Sequence, residues 1–389
     1  MKKSLFENTE VAFKMKKNFH LYNAIFLFNI ITKKILVKIL TNLTITMLKF
    51  RLPVKWILKG TIYKHFCGGI DISQCKKIIS DMHKMNVFSI LDYSIEGLSN
   101  ETSFNKSCEK KIKIIDIVSE NNAIPFAVFK PTSIGRYELF KVVSDGKKLL
   151  KDEEVEWSNV VNRFHKICDH ALTNKTKILI DAEEYEVQKA IDKLALEMMK
   201  FYNKEHVVVY NTIQLYRWDR IDYLKKLFKD YSKPKFSFGF KLVRGAYMEK
   251  ERLRAKNGNY KSPICSSKNE TDLNFNKAID LMFKHIKKAD FFIATHNELS
   301  NYKVIDLMKK NKIKNNSDKI WFGQLYGMSD NITFNLAVEG YNVAKILPFG
   351  PVENLVPYLI RRAQENSSLE GQSSRELSLL KKELLRRSS

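Results

Sequence analysis

From about residue 87 onward, short β-rich apolar runs alternate with segments of helical period, and no other feature restricts the possible folds as much. The runs are Val87–Leu91, Pro125–Phe129, Ile178–Ile180, Val207–Tyr210, Phe236–Val243, Phe291–Ala294, Ile320–Phe322 and Val343–Leu347. Between them apolar residues recur at three and four, most clearly in Glu186–Phe201, Ile221–Tyr231, Leu273–Lys288 and Val304–Lys312. Eight strands, each followed by a helix within about 280 residues, fit a closed (β/α)8 barrel better than an open doubly wound sheet.

The flanks read differently. Residues 1–85 predict a mostly helical arm with a turn at Cys67-Gly68-Gly69, residues 86–370 the barrel, and residues 371–389 a short amphipathic helix. In that last helix, Glu376–Arg387, Leu377, Leu380 and Leu384 share one side, which predicts docking on the barrel. The apolar stretch Phe19–Lys49 is cut by Lys33, Lys34 and Lys38 into runs of 14 residues or fewer, short of the roughly 20 that span a bilayer. Glu7 and Glu10 argue against a transit peptide, and no signal-peptide pattern follows Lys2 and Lys3, so a retained N-terminus and a cytoplasmic protein are expected. Five scattered cysteines without a C-x-x-C pair support neither disulfides nor a zinc knuckle.

The chain carries 67 Lys+Arg against 43 Asp+Glu, a net +24, and residues 1–60 hold twelve of those bases with only two Glu. Elsewhere lysine is spread evenly among Ile and Asn. No nucleic-acid recognition module is present, so no nucleic-acid partner is expected. The basic arm and terminal helix, both with apolar faces, also suit a peripheral contact with an anionic membrane, for instance the inner membrane face. The competing expectation is an arm packed on the barrel.

In such barrels chemistry gathers at the C-terminal ends of the strands. Polar residues collect there: Asp92 and Glu96, Lys130, Asp181, Asn211 and Gln214, Lys241 and Arg244, Thr295 and His296, and Gln324. Singly, such residues are helix caps or solvated charges; at seven strand ends in order they predict a site. G-x-G-x-x-G, P-loop and H-E-x-x-H motifs are missing, and only His296 among the histidines is well placed, so no metal is expected. After the last strand, Tyr358, Arg361, Arg362 and Glu365 fall at i, i+3, i+4 and i+7. They read either as an exposed face with an Arg361–Glu365 ion pair or as a carboxylate clamp walled by a tyrosine ring.

Five collinear motifs resemble proline dehydrogenase. They are Asp181-Ala182-Glu183-Glu184, Lys241-Leu242-Val243-Arg244-Gly245-Ala246-Tyr247, Ala294-Thr295-His296-Asn297, Phe322-Gly323-Gln324-Leu325, and Tyr358-Leu359-Ile360-Arg361-Arg362-Ala363-Gln364-Glu365-Asn366. The form resembled is the stand-alone enzyme of the eukaryotic-like branch, since 389 residues leave no room for an added aldehyde dehydrogenase half. The resemblance implies a distorted (β/α)8 TIM barrel, FAD at its C-terminal mouth, and a final helix over that mouth. It implies oxidation of L-proline to Δ1-pyrroline-5-carboxylate, with electrons passed to a membrane quinone and the product open to a separate pyrroline-5-carboxylate dehydrogenase.

By position, the resemblance has Lys130, Arg361 and Arg362 bind the substrate carboxylate, Tyr247 and Tyr358 pack on its ring, and Glu96 pair with an arginine as a gate. Asp181 would line the site with a catalytic role, as would Lys241, and Ala182 would contact the cofactor. Gln214 and Lys241 would meet the flavin ring, Arg244 with the Gly245 and Ala246 backbone would hold the pyrophosphate, and Thr295 and His296 would contact more of the cofactor. Two positions depart from the family pattern. Many bacterial members have Arg at the Lys241 position and Lys at the Arg244 position, and the family usually has tyrosine where Ile346 stands, a ring that crowds the substrate's C4. Ile346 therefore keeps a hydroxyproline dehydrogenase open as the alternative, beside an inactive basic binding protein.

Overall fold

The computed structural model describes residues 4–50, 56, 58–93, 99–368 and 372–389. Three arm helices come first: α1 (Thr9–Phe13), α2 (Asn18–Ile31) and α3 (Lys34–Lys49). After α4 (Ile72–His83) the chain alternates: β1 (Phe88–Tyr93), α5 (Glu101–Ser119), β2 (Phe126–Phe129), α6 (Tyr137–Asp145), α7 (Lys151–Thr173), β3 (Lys177–Ile180), α8 (Tyr185–Tyr202), β4 (Val209–Gln214) and α9 (Arg220–Asp230). It continues through β5 (Phe238–Val243), α10 (Met248–Asn257), α11 (Lys268–Lys284), β6 (Ala289–Ala294), α12 (Glu298–Lys310), β7 (Ile320–Leu325), α13 (Asp330–Val338), β8 (Val343–Phe349), α14 (Val352–Ser368) and α15 (Gln372–Ser388).

The eight strands close into a parallel barrel in chain order, so every expected apolar run is a strand. Four of the runs, those of β1, β4, β7 and β8, were short at their C-terminal ends, because polar residues such as Asp92 and Gln214 continue the strand. Contacts within the chain fall into two compact units: residues 1–95, 296–298 and 323–389, and residues 96–295 and 299–322.

In the second unit, four rings meet toward the N-terminal ends of the strands. Phe126 of β2 meets Tyr210 of β4, Phe292 of β6 and Trp321 of β7 edge to face, at 5.5, 5.4 and 5.2 Å, a geometry that aromatic quadrupoles favour. Gly239 on β5 leaves room for this plug, since a Cβ there would lie 2.9 Å from the Tyr210 ring and 2.3 Å from a backbone carbonyl. Helix starts are capped locally, as at Asn100 and Ser267, whose side chains accept from Ser103 and Glu270 N–H.

In the first unit, the last helix docks mainly on the arm. Leu379 and Leu380 of α15 share a core with Ala12 and Phe13 of α1 and Leu21, Ala24 and Phe28 of α2, flanked by Leu377 and Leu384. The expected turn at Cys67-Gly68-Gly69 is instead an extended segment beside β8. Gly68 N–H donates to Pro348 O at 2.8 Å, and Gly350 N–H donates to Gly69 O at 3.0 Å. Glycine is required by closeness here: a Cβ on Gly68 would lie 2.7 Å from Leu347 Cγ. The same unit buries a charge cluster, with Asp330 held by Lys16 at 2.6 Å and Lys345 at 2.8 Å, and Glu376 of α15 accepting from Ser329 N–H at 2.9 Å.

Candidate active site

The second unit gathers most of the predicted strand-end residues. Lys241 points from β5, where its backbone stands in register with Thr212 of β4, and its Nζ donates to Asp181 Oδ1 at 2.6 Å just past β3. Lys241 is buried, Asp181 and Ala182 are half-buried, and the Asp181 N–H donates to Phe129 O at the end of β2. Gln214 closes β4, where its amide donates to the Glu183 carbonyl at 2.6 Å.

Glu183, which sequence reasoning left without a role, ties these ends together. Its carboxylate accepts from Thr132 N–H at 2.8 Å and from the Thr132 hydroxyl at 2.6 Å, two residues beyond half-buried Lys130. Its own N–H donates to Gln188 Oε1 at 2.8 Å. One buried residue thus links the β2 end, the β3 end and Gln214 by charge-assisted and backbone bonds. The only sequence signal for it was its place within the Asp181-to-Glu184 motif.

Arg244 spreads its fork over three partners after β5. Its Nε donates to Asp272 at 2.8 Å, one terminal nitrogen reaches the Thr295 hydroxyl, the other reaches Ser300 Oγ at 3.1 Å, and the guanidinium lies 4.4 Å from the Phe275 ring centre. Burial lowers the Arg244 pKa, and Asp272 opposes that shift. For Asp272, burial is outweighed by Lys268 and Arg244, so its carboxyl sits below the usual range. Gly245 follows at φ +136°, and a Cβ there would come within 2.6 Å of the Tyr216 ring. This backbone can lie flat on a tyrosine face only as glycine. Half-buried Ala246 and Tyr247 come next, and Tyr247 O receives the Glu251 N–H as α10 begins.

The first unit holds the remaining residues. Ile346 is 9% exposed on β8, in register with Ile90 of β1. On α14, Tyr358 and Arg362 are buried and Arg361 is half-buried. The Arg362 guanidinium lies 5.3 Å over the Tyr358 ring, an i, i+4 stack rather than an exposed charged face. His296 Nδ1 hydrogen-bonds Ser329 Oγ at 3.0 Å. Glu96 and the Glu365 side chain, and with it the Arg361–Glu365 pair, lie outside the described residues.

Two strand-end expectations are corrected. Asn211 faces outward and donates to Asp192 of α8 at 3.0 Å, and Gln324 accepts from Thr333 of α13 at 2.8 Å. Both brace helices. Asn211 lies an odd number of residues from Gln214, and side chains alternate faces along a strand.

The donors present suit a dinucleotide bound without Rossmann glycines. They are a buried lysine and a strand-end amide for a polar ring system, and an arginine beside a glycine at positive φ for phosphate oxygens. Thr212 Oγ, buried on β4, has no hydrogen-bond partner among the described residues.

A family model described as proline dehydrogenase matches residues 75–375. A carbapenem antibiotics biosynthesis protein, CarD, of Pectobacterium carotovorum subsp. carotovorum is 33% identical over 322 residues, covering 83% of each chain. Proline dehydrogenase 1, mitochondrial, of Dictyostelium discoideum is 31% identical, with 86% of this chain matching 66% of that one. A hydroxyproline dehydrogenase of Xenopus laevis is 29% identical over 86% of this chain and 79% of its own. Among solved structures, proline utilization A from Bdellovibrio bacteriovorus inactivated by N-propargylglycine superposes with a TM-score of 0.70 at 20% identity. That match takes in 79% of this chain but only 33% of the larger protein.

Proposed function

The chain belongs to the proline dehydrogenase family of oxidoreductases, and from that premise we propose that it oxidises L-proline to Δ1-pyrroline-5-carboxylate with FAD and passes the electrons to a membrane quinone. The observation that carries the reading is the Lys241–Asp181 pair at 2.6 Å, next to Gln214 and upstream of the Arg244-Gly245-Ala246 loop. Bound FAD would supply the two-electron acceptor: substrate loses a hydride from the carbon beside its nitrogen and a proton from that nitrogen, leaving a C=N bond.

The residues divide the remaining work. Arg361, Arg362 and Lys130 hold the carboxylate, where bidentate guanidinium contacts fix a pose as well as a charge. Tyr358, already stacked under Arg362, and Tyr247 present ring faces to the pyrrolidine and keep water from it. Asp181 holds the Lys241 ammonium in place, so a cation is fixed beside the redox centre. Gln214 hydrogen-bonds the flavin ring, Arg244, Gly245 and Ala246 grip its pyrophosphate, and Thr295 and His296 extend the cofactor site. A separate dehydrogenase for the product is the natural partner.

Purified protein is expected to be yellow and to bleach under anaerobic proline; a colourless protein that cannot be reconstituted with FAD would refute the reading. Ile346 favours one alternative substrate, 4-hydroxyproline, because an aliphatic wall replaces a ring at the substrate's C4. Comparing kcat/KM for both imino acids in the natural protein and in Ile346→Tyr decides between them, with hydroxyproline use falling in the variant if Ile346 admits it.

A further inference from the structure

Four neighbouring strand ends meet at the short loop between β3 and α8. Asp181 holds Lys241 of β5, the Glu183 carbonyl receives the Gln214 amide of β4, and the Glu183 carboxylate receives the N–H and hydroxyl of Thr132 after β2. The next carboxylate turns elsewhere: Glu184 accepts from Tyr137 and from Lys250 and Arg254 of α10. Glu183 therefore grips two different parts of the site, one with its side chain and one with its main chain.

The side-chain grip falls on the turn that carries Lys130. Pro131 follows that lysine and restricts it to the extended conformation it takes, φ −95° and ψ 130°. Ser133 then donates to the Lys130 carbonyl through its N–H at 3.0 Å and its hydroxyl at 2.6 Å. The turn is rigid in itself, and Glu183 fastens it to the β3 end. The main-chain grip falls on Gln214. A carbonyl only accepts, so the Gln214 amide must turn its nitrogen to Glu183 and present its oxygen and second N–H to a ligand. That stretch of main chain is held in turn. Glu183 N–H donates to Gln188 at 2.8 Å, Gln188 donates to Asp192 at 2.9 Å, and Asp192 also accepts from Asn211 at 3.0 Å and Arg220 at 2.7 Å. All these side chains are buried, and a buried network of this kind stiffens what it holds.

We propose that Glu183 is the positioning residue of the site: its side chain sets Lys130 toward the substrate carboxylate, and its main chain, braced by Gln188 and Asp192, sets the Gln214 amide toward the flavin. The inference rests on the roles already proposed for Lys130 and Gln214. It adds that the two settings are separable, because they leave the same residue by different atoms.

Glu183→Ala deletes the side-chain grip and keeps the main chain. It should raise KM for proline about tenfold, with kcat and the FAD dissociation constant within about twofold of the natural values. Glu183→Gln can accept from Thr132 N–H and donate to its hydroxyl, so KM should return to within about threefold. Gln188→Met does the reverse, raising the FAD dissociation constant about tenfold while KM at saturating FAD stays within about twofold. Hydrogen exchange of the flavin-free protein reads the same link without either ligand: residues 131–134 should exchange at least about tenfold faster in Glu183→Ala and at the natural rate in Gln188→Met. If Glu183→Ala does not fold, Thr132→Val, which deletes the hydroxyl contact alone, takes its place with an expected rise in KM of about threefold. An unchanged KM, exchange at residues 131–134 that does not move, or KM and FAD affinity shifting together in both variants would overturn the proposal, leaving Glu183 a brace for the fold. A natural protein that neither binds FAD nor oxidises proline would instead refute the activity itself, an outcome distinct from an unchanged KM in a working enzyme.

Discussion

Removing the Asp181 carboxylate separates what the site does for stability from what it does for chemistry. Asp181 Oδ1 lies 2.6 Å from Lys241 Nζ, and the two side chains are 19% and 7% exposed. At that distance, in an effective dielectric near 20, two unit charges attract by about 6 kcal/mol, most of which offsets the cost of taking both ions out of water. Asp181→Ala leaves the better buried partner, the ammonium, without its counter-ion. The expected loss is about 3 kcal/mol, at the low end for a broken buried pair because Asp181 keeps some water. Lys241→Met leaves the more exposed carboxylate and should cost about 1–2 kcal/mol, below the range for a fully buried charge. The double variant removes both charges, so its stability should return to within about 1–2 kcal/mol of the natural protein, a coupling of roughly 2 kcal/mol or more. Urea unfolding midpoints of the four proteins without flavin measure the cycle, and anaerobic bleaching by proline measures the chemistry. All three variants should bleach slowly, the double one included, because stability returns without the cation. A single Asp181→Ala cost under about 1 kcal/mol, or additive singles, would mean the pair is screened like a surface salt bridge and would refute the reasoning.

Three further outcomes test other parts of the structure. Arg362→Met should raise KM for proline at least a hundredfold, about 3 kcal/mol of lost charge-assisted contact, while kcat falls less; an unchanged KM would return Arg362 to a role in stacking on Tyr358. Gly245→Ala should cost about 2–3 kcal/mol, combining a φ of +136° with a Cβ 2.6 Å from the Tyr216 ring, and should weaken FAD retention, read by ultrafiltration of the yellow protein. Glu376 tests the buried cluster: burial first, then the nearby Asp330 charge, pushes its carboxyl up to about 7, above the roughly 4.3 of an unfolded chain. The folded state therefore binds this proton more tightly, so the group's contribution to stability is full below about pH 4 and is lost as pH rises through 7, a span of about 4 kcal/mol. Glu376→Gln imitates the protonated form at every pH. Its melting temperature should match the natural protein near pH 4 and exceed it at pH 8, and parallel curves would refute the assignment.

The barrel was legible because its signal is local. A β-rich run of three to eight residues followed by a helical period needs no knowledge of distant chain, and all eight strands stand where those runs fall. The site was legible only as a set of positions. Which face a strand-end residue takes depends on where the strand stops: Asn211 and Gln214 both looked like mouth residues, and only the true end of β4 at Gln214 assigns the first to α8. The partners that hold the site were beyond reach for a different reason. Asp181 pairs across 60 residues and Glu183 reaches back 51 to Thr132, and no periodicity records such distances. The arm read only as mostly helical across residues 1–85, without the bounds or the orientation of α2 and α3, since an apolar stripe marks a face without saying whether protein or something else covers it.

The exchange of lysine and arginine along the Lys241-to-Tyr247 motif has a structural reason. Position 241 is inside the strand layer, 5% exposed, with Asp181 as its ion-pair partner. A compact ammonium on a flexible stem fits there and needs no planar space. Position 244 has the opposite requirement. Asp272 lies on α11, Thr295 follows β6 and Ser300 lies on α12, and one side chain reaches all three while its flat face rests on Phe275. Three divergent partners and an aromatic face match a guanidinium fork, and an ammonium at that distance would leave at least one of them unmet. The two cations are therefore not interchangeable in this chain, although the net charge of the motif is the same either way. Arg244 joins three segments of the second unit before any ligand arrives, so a phosphate bound there meets a guanidinium already fixed in place, and little of its binding is spent on ordering a side chain.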